Sequence, residues 1–575
     1  MSAMERADHP NLADPTADHR APYDVIVVGG GMAGLTAGAY AARAGCSVLL
    51  CEKEPVIGGL VRSFERDGFT WDAGIRALED SGIIFPMLAD LGIEIDFVKS
   101  PVSLGIEDRV IPVESTANLT DYRELLEHFY PNSHADIARI LGTIRRIMKH
   151  MEVLYGVENP AFKDLRHDRT YLFGKLLPWL GKFLLTIGRI NRMTMPVDEY
   201  LGRLSDSREL VDIISQHFFR KTPTFFALSY FSLYLDYVYP MGGTGALPQA
   251  LESYCVQQGV DIRKGTRITS VDPLAHTVTD DRGEACTYRE LVWAADAKTL
   301  YRIVDIERLA EQERRFQARE RATLLDAAKG GDSVFTLYLA VDIEPGWFAA
   351  RSNGHFFYTP SRRGVGADIH SALDSMLAAS NSGEDGMIRE RAMRWIERYV
   401  GSTTYEISIP VLKDASLAPA GKTGLIVSLL FDHELCAVAS EQGWYEDLKS
   451  YTADHLIEML DASVYPGLRG AIRDQFSSTP LSIERAVGSA GGAITGWAFT
   501  NPIMPAVHRM QHIARSVVTP FPDISQAGQW SYSPSGLPIA ILTGKLAADS
   551  VVKELQRRRC TKGIAWKASD RRGSA

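Results

Sequence analysis

Apolar and polar positions near the start of the chain form two distinct patterns. An unbroken apolar run, Val25–Val28, is followed by small residues and then by a stretch of helical character from Leu35 to Ala44. A second apolar run, Cys46–Cys51, comes directly after it. Short continuous apolar runs are typical of strands that are buried on both faces. The pattern predicts a strand, a helix and a second strand.

Three glycines stand at the turn between the first predicted strand and the helix. Gly29, Gly31 and Gly34 follow the spacing G-x-G-x-x-G, with Met32 and Ala33 inside it. The first glycine permits a tight turn, the second lets phosphates approach the backbone, and the third lets the helix pack closely on the sheet. The helix N-terminus then offers free N–H groups to an anion. The motif predicts a nucleotide pyrophosphate site, and a turn that serves packing alone is the alternative.

An acidic residue ends the second predicted strand. Glu52 stands roughly 20 residues after the glycines, where the dinucleotide fingerprint requires a carboxylate that binds a ribose. Because strand, glycines, helix, strand and acid follow in register, we favour nucleotide binding over packing. These residues alone leave the choice between FAD and NAD open.

The residues after Glu52 resemble the FAD-binding start of the phytoene desaturase, carotenoid isomerase and retinol saturase group, which belongs with the amine oxidase-like flavoproteins. The resemblance rests on EKEPVIGG at 52–59, RSF at 62–64 and GFTWDAG at 68–74. It implies that Gly58 and Gly59 approach the FAD phosphates and that the turn ending at Gly74 lies beside the isoalloxazine. Leu60 stands where the desaturases usually carry Arg, which favours the isomerase and saturase branches.

Later segments resemble the same family. They are YPMGGTGAL at 239–247, VWAAD at 292–296 and QAGQWS with SPSGLP between 526 and 538. Gln529 stands where many relatives carry an acid. The FAD site implied by the resemblance comprises Gly29, Gly31, Met32, Ala33, Gly34, Glu52, Lys53, Gly58, Gly59, Leu60, Gly74, Ile75, Arg267, Ile268, Gly528, Gln529, Gly536 and Leu537.

The predicted fold class is α/β, with a Rossmann-like FAD-binding lobe that is discontinuous in sequence and a mixed α+β substrate lobe with a helical subdomain. The predicted parts are a disordered leader (1–22), an FAD-binding lobe (23–99, 239–300 and 516–555), a mainly helical part facing substrate or membrane (100–238), a substrate lobe with a β-sheet (301–515) and a basic, mobile tail (556–575). A length of 575 residues itself favours two or more lobes over one core.

The stretch from Thr170 to Ile190 combines cations with a broad apolar face. Lys175, Lys182 and Arg189 recur every seven residues among Leu, Phe, Trp and Tyr. On a helix, this spacing lines the cations along one edge, as expected of an interfacial helix on anionic lipid, and Pro178 is expected to kink it. The alternative is a buried helix with lysines at its rim.

Composition limits the partners and the compartment. The net charge of −9 gives no reason to expect nucleic acid, and the six cysteines are scattered without metal or disulfide spacing. Residues 1–22 lack the apolar core of a signal peptide, and no run of about 18 apolar residues predicts a spanning helix. We therefore expect a cytoplasmic protein that contacts a membrane peripherally and binds no metal; His508 and His512 alone do not complete a metal site.

FAD is the expected source of the chemistry, since no Ser-His-Asp set or carboxylate pair competes for that role. Tyr239 and the aromatics before it could wall a slot for a flat polyene, and Arg76 could hold a polar end group or stabilise reduced flavin, with a surface ion pair as its alternative. The first hypothesis is redox or isomerisation chemistry at a double bond of a carotenoid- or retinoid-like substrate. The alternatives are an unsaturated fatty acid whose carboxylate pairs with Arg76, and a prenyl-lipid carrier. Since no second glycine fingerprint appears, electrons must come from or go to an external partner, for example a membrane quinone.

Overall fold

The computed structural model describes residues 22–165, 167–380 and 387–570. The predicted leader lies outside these ranges except for Pro22, and so does the polar turn predicted at 381–386. The strands are β1 Tyr23–Val28, β2 Val48–Glu52, β3 Ser63–Arg66, β4 Phe69–Asp72, β5 Leu78–Glu79, β6 Phe97–Lys99, β7 Val102–Ile106, β8 Arg109–Val113, β9 Tyr237–Pro240, β10 Asp261–Lys264, β11 Ile268–Asp272, β12 Thr277–Asp280, β13 Ala285–Trp293, β14 Ser333–Val341, β15 His355–Thr359, β16 Tyr405–Ser408, β17 Thr423–Phe431, β18 Ile472–Ser478 and β19 Ile524–Gln526.

The helices alternate with these strands. They are α1 Met32–Arg43, α2 Ile84–Leu91, α3 Leu119–Phe129, α4 His134–Leu154, α5 Arg169–Tyr171, α6 Leu177–Ile190, α7 Val197–Leu201, α8 Arg208–Ser215, α9 Thr224–Leu235, α10 Ala246–Gln257, α11 Ala297–Ile303, α12 Gln312–Ala327, α13 Pro345–Ala349, α14 Ala367–Ser380, α15 Ile388–Val400, α16 His433–Glu441, α17 Tyr445–Ala462, α18 Leu468–Ala471, α19 Pro480–Val487 and α20 Leu537–Asp570.

The first sheet collects strands from three distant parts of the chain. Its order is β10-β2-β1-β13-β12-β11, and β19 pairs with β13. The pairs β1–β2, β1–β13, β2–β10 and β13–β19 are parallel. Helix α1 packs between α10 and α20 on this sheet, and their apolar residues share one core with β1 and β2. This is the Rossmann-like lobe, and it is discontinuous in sequence.

The second sheet forms the substrate lobe. Its order is β18-β14-β17-β16-β15-β7-β8, and all its pairs are antiparallel except β7–β15. Helices α14 to α17 cover it with one large apolar core. The fold class is therefore α/β with two lobes.

The stretch predicted as mainly helical begins with two strands. β7 and β8 extend the second sheet, and α3, α4 and α9 pack against them. The prediction missed these strands because their partner β15 lies about 250 residues away, and local pattern carries no information on that pairing. At Gly105, a Cβ atom would lie 2.8 Å from the ring of Phe356, so the strands approach closely here.

The end of the chain differs from the prediction of a mobile basic tail. Helix α20 continues to Asp570, well beyond the predicted end near Leu555. Arg558 pairs with Asp523 and, at 3.2 Å, with Glu290, while Arg559 lies 3.1 Å from Asp24. The arginines thus fasten the helix to the first sheet.

Candidate functional site

One continuous cavity of about 1060 Å³ connects the two lobes. At one end it is lined by Gly29, Gly31 and Glu52 of the first sheet, and at the other by Phe226 and Tyr230 of α9. This volume is large for a single small ligand. The cavity therefore has room for a cofactor and for a substrate beside it.

The glycine turn has the geometry that a pyrophosphate requires. Gly29 has a φ of +106°, and a Cβ atom there would lie 2.8 Å from the carbonyl oxygen of Ala294. A Cβ atom at Gly34 would lie 1.9 Å from the carbonyl oxygen of Gly29, so this glycine lets α1 begin against the strand. At Gly31 a Cβ atom would meet nothing within 4 Å, so the backbone there is open to the cavity. Phosphates can approach this bare backbone at the start of α1.

Glu52 fixes the loops around the glycine turn. Its Oε2 accepts a hydrogen bond from the Gly30 N–H at 2.6 Å, and its Oε1 accepts one from the Glu54 N–H at 2.9 Å. A carboxylate has further acceptor sites, so a ribose hydroxyl can still bind. Lys53 donates to Glu54 and, at 2.8 Å, to the carbonyl oxygen of Arg485. Both side chains line the cavity.

A second glycine turn lies directly beside the first. The Gly58 N–H donates to the Gly30 carbonyl at 2.9 Å, and Gly58 and Gly59 have φ values of +108° and +58°. A Cβ atom at Gly74 would lie 1.7 Å from the carbonyl oxygen of Leu60. Leu60 thus contributes its backbone carbonyl to the contact with Gly74, and this contact does not depend on the Leu60 side chain.

The remaining predicted cofactor residues line the same cavity. They are Met32, Ala33, Ile75, Arg267, Ile268, Gly528, Gln529, Gly536 and Leu537, so that Gly34 alone of the predicted set lies outside the lining. The Gln529 amide donates to the Ser489 hydroxyl at 3.1 Å. The hydroxyl of Ser535 is buried in the cavity wall and has no hydrogen-bond partner among the described residues. An acceptor-rich group such as FAD fits this unpaired donor.

Arg76 lies inside the protein, so the alternative of a surface ion pair is wrong. It is 3% exposed, and its guanidinium donates to the carbonyl oxygens of Asp72, at 2.7 Å, and Gly74. It also donates to the Ser428 hydroxyl at 3.2 Å, which joins the two lobes. Its Nε has no partner among the residues described. Arg76 therefore places a fixed positive charge in the cavity wall.

Tyr239 does not face the cavity, contrary to the prediction. It is fully buried, and its hydroxyl donates to Oδ2 of Asp72 at 2.6 Å. Burial, together with this carboxylate, raises the pKa of Tyr239 well above its ordinary value. Tyr237, two residues earlier on the same face of β9, lines the cavity. Tyr239 lies further along the strand, where its hydroxyl packs against Asp72 and not against the cavity.

Sequence reasoning missed a polar group on the second sheet. Residues of three neighbouring strands line the cavity, and they include His355, Glu406 and Ser428. Nε2 of His355 lies 3.1 Å from Oε1 of Glu406. Burial lowers the pKa of His355, whereas contact with His355 lowers the pKa of Glu406 against the effect of its own burial. A lone histidine in an aromatic strand carries no motif by which it could have been found.

Lys413 is a buried lysine next to Arg76. Its Nζ donates to the carbonyl oxygen of Arg76 and to the Ser408 hydroxyl, both at 2.9 Å. Burial lowers the pKa of Lys413 to about 7. On β5, where Glu79 pairs with Tyr237 of β9, burial raises the pKa of the Glu79 carboxyl to about 7.

The far end of the cavity is apolar and aromatic. Its lining includes Tyr155, Phe226, Tyr230 and Leu233, together with Trp179 and Phe183 on the inner side of α6. Trp179 and Phe183 stack with ring centroids 4.5 Å apart. Rigid aromatic walls of this kind suit a flat apolar ligand. The described residues contain no cluster of three or more side chains that could hold a metal ion.

The fold and the glycine turns define a two-lobed, dinucleotide-binding protein. The model of the flavin containing amine oxidoreductase family matches residues 32–347, and the chain belongs to this family. Its cofactor is FAD, and the predicted family resemblance is confirmed.

Three known proteins illustrate what the chain is similar to. The chain is 24% identical to the chloroplastic prolycopene isomerase of Daucus carota over 82% of this chain and 71% of that one. It is 25% identical to the phytoene dehydrogenase of Streptomyces griseus over 92% and 96%. The structure of putrescine oxidase with bound putrescine matches with a TM-score of 0.54 at 14% identity, over 92% and 99% of the two chains, which supports the fold alone. The protein is thus an FAD-dependent oxidoreductase.

Proposed function

We propose that the protein acts on carbon–carbon double bonds of a long apolar polyene, carotenoid-like or retinoid-like. The observation that carries this proposal is the single cavity, in which the FAD glycines continue without a break into an aromatic slot. The relatives named for prolycopene and phytoene chemistry support the same substrate class. Desaturation, saturation and cis–trans isomerisation are the three reactions open to this site.

The protein's own residues position the substrate and exclude water. FAD, when bound, exchanges a hydride or electrons with the substrate. The glycine turns at Gly31 and Gly58 would hold its phosphates, and Glu52 a ribose. The fixed charge of Arg76 lies where it can stabilise negative charge on a reduced flavin. Tyr230 and Phe226 flank the apolar chain.

The proposal is tested by incubating the oxidised and the chemically reduced holoprotein separately with polyenes and unsaturated fatty acids. Mass spectrometry would detect a gain or loss of two hydrogens, and chromatography would detect isomers. We expect conversion of a polyene in one of the two oxidation states. Conversion of fatty acids alone would favour the fatty acid alternative, and unchanged substrates throughout would contradict both.

Two alternatives fit the cavity less well. A fatty acid carboxylate would need Arg76, and three of the five N–H groups of its guanidinium already donate to the protein, which leaves Nε–H and one N–H of Nη2. A prenyl-lipid carrier has no use for the intact, open glycine turn at Gly31. A colourless purified protein would favour the carrier.

An electron partner from outside completes the proposal, and a quinone from the membrane is our candidate. We also propose a cytoplasmic protein that binds a membrane peripherally. None of the helices within the described ranges is long and apolar enough to cross a bilayer. The support for peripheral binding comes from α6 and the π-helical turn at 172–176 that precedes it.

The outer side of this helical segment exposes large apolar side chains. Phe173, Leu184 and Leu185 are 63%, 62% and 73% exposed, and Leu177 and Leu180 accompany them. Lys175, Lys182 and Arg189 are exposed beside them. Apolar side chains edged by cations suit a surface of anionic lipid. Since Trp179 and Phe183 on the inner side line the cavity, an apolar substrate could pass from lipid to site along this helix.

Membrane binding is tested by co-sedimentation with vesicles of phosphatidylcholine and phosphatidylserine. The double variant Leu184→Gln/Leu185→Gln should bind at least about tenfold more weakly, since it removes apolar area from the lipid contact. Phe316→Gln, on α12, is the matched control because it also removes an exposed apolar side chain. Equal binding by all three proteins would contradict the proposal, as would no binding by the unaltered protein.

A further inference from the structure

The wall of the cavity contains a buried histidine without a regular hydrogen bond. His355 is 1% exposed, and neither ring nitrogen has a hydrogen-bond partner among the described residues, because Glu406, although 3.1 Å away, is not aligned with Nε2. Leaving a buried polar group unpaired is costly, and native proteins rarely do so without a functional reason. The ring is held between Tyr237 and Phe357, with centroid distances of 5.2 and 5.1 Å.

The register of the second sheet places this histidine beside Arg76. Glu406 pairs with Ser428 across β16 and β17, and Ser428 accepts a hydrogen bond from Arg76. Arg76 follows the turn at Gly74, which the family resemblance sets beside the isoalloxazine. A short chain of neighbours, Arg76, Ser428, Glu406 and His355, therefore runs from the flavin end of the cavity into its wall.

We infer that His355 accepts the proton that a substrate carbon loses during desaturation, and that Glu406 stabilises the imidazolium formed. This inference rests on the proposed function. One carbon gives up a hydride, with its electron pair, to oxidised FAD, and the adjacent carbon gives up a proton to Nδ1 of His355. The electrons of that C–H bond form the new double bond, so atoms and charge balance. Nδ1 is the acceptor because Nε2 faces Glu406.

The electrostatic surroundings suit a proton acceptor. Burial keeps the pKa of His355 below its ordinary value, so the ring is neutral at neutral pH. Glu406 opposes this shift, while Lys413 and Arg76 reinforce it. The other groups packed on the ring, Tyr237 and Phe357, are uncharged. Glu406 therefore makes proton uptake easier without charging the resting ring.

The kinetic test compares three variants in anaerobic single turnovers with a partly saturated polyene. His355→Gln should slow desaturation by about 100-fold, the size of effect typical of a general base. Glu406→Gln should slow it less and should move the acidic limb of the pH profile to lower pH. His433→Gln is the matched control, since His433 also pairs with a glutamate, Glu484 at 2.8 Å, but away from the cavity lining. It should leave the rate unchanged.

A measurement without turnover separates this role from a structural one. Proton NMR of the histidine rings in the protein without substrate, assigned by the signal missing in His355→Gln, should show His355 titrating below its ordinary range. Glu406→Gln should lower that pKa further. If His355→Gln does not fold, Glu406→Gln alone must still show both slower desaturation and an acidic limb of the pH profile that lies at lower pH.

The outcomes distinguish the inference from the proposed function. An unchanged rate in His355→Gln, or an equal loss in His433→Gln, would overturn the inference and leave polyene chemistry standing. A pKa of His355 that is the same in Glu406→Gln as in the unaltered protein would overturn the pairing of His355 with Glu406. Failure of the unaltered protein to act on any polyene would overturn both.

Discussion

The backbone of Gly31 is the residue-scale feature on which cofactor binding depends. A methyl group at this position would meet no protein atom within 4 Å, whereas at Gly34 it would lie 1.9 Å from a carbonyl oxygen. The two glycines of one motif therefore serve different purposes. Gly31 leaves room for the ligand, and Gly34 permits the packing of α1 on the strand.

Alanine substitutions separate these roles. Gly31→Ala should leave the apoprotein's melting temperature nearly unchanged but weaken FAD binding by about tenfold or more, since the methyl group occupies the space of the phosphates. Gly34→Ala should lower the melting temperature of the apoprotein itself. Gly142→Ala, in open space on α4, is the control and should alter neither. Normal FAD retention by Gly31→Ala would contradict the assignment of the phosphate site.

Lys413 makes stability depend on pH. Its folded-state pKa of about 7 lies below its ordinary value of 10.5, so between these values the unfolded chain binds a proton that the folded chain does not. Stability should therefore rise with pH from about 7 to about 10, by at most about 1.4 kcal/mol per pH unit from this group. Melting temperatures in this range should rise less in Lys413→Met than in the unaltered protein. Lys422→Met, at a partly exposed lysine, is the control. Equal changes of melting temperature with pH in all three proteins would refute the lowered pKa of Lys413.

At the scale of single elements, α6 has two sides with different tasks. Ile187 is buried, while Leu184 is largely exposed. Ile187→Ala should cost roughly 2 kcal/mol through lost packing, whereas Leu184→Ala should cost little in solution. Thermal unfolding without vesicles measures both. A comparable loss in both variants would mean that the outer side is covered by protein, as in the alternative of a buried helix.

Helices, strands and turns could be predicted from the sequence where residues close together in the chain decide the local structure. The glycine turn, β1 and α1 are such cases, because three glycines and an apolar run act within a few residues. The start of α6 illustrates the limit. Pro178 was expected to kink the helix. The chain is helical without a break from Arg169 to Ile190, and a π-helical turn, Leu172–Leu176, lies directly before the proline, as is common where a helix accommodates a proline.

The polar group at His355 could not be predicted from sequence. His355 and Glu406 become neighbours only through the pairing of β15 with β16, which lie about 50 residues apart in the chain. The error at Tyr239 has a related origin, since its hydroxyl binds Asp72, a residue 167 positions away in the chain. Which side chains become neighbours is decided by contacts between distant parts of the chain, and residue type alone does not reveal it.

At the scale of the whole molecule, the FAD-binding lobe requires both ends of the chain. β19 completes the first sheet beside β13, and α20 packs so closely on α1 that a Cβ atom at Gly544 would lie 2.3 Å from the carbonyl oxygen of Ala33. A chain that ends at residue 515 should therefore lose FAD and melt at lower temperature. A chain that ends at residue 570 is the control. FAD retention by the shorter chain would show that the lobe does not depend on its third segment.

The central claim is that flavin and apolar substrate share one cavity. The most direct measurement is an anaerobic titration of the oxidised holoprotein with a partly saturated polyene, followed through the visible absorption of the flavin. We expect the flavin bands to shift or bleach in a saturable manner, and α-linolenic acid at the same concentrations to have a smaller effect. A flavin spectrum that no polyene changes, in a protein that binds the polyene, would show that the two ligands do not meet and would contradict the account.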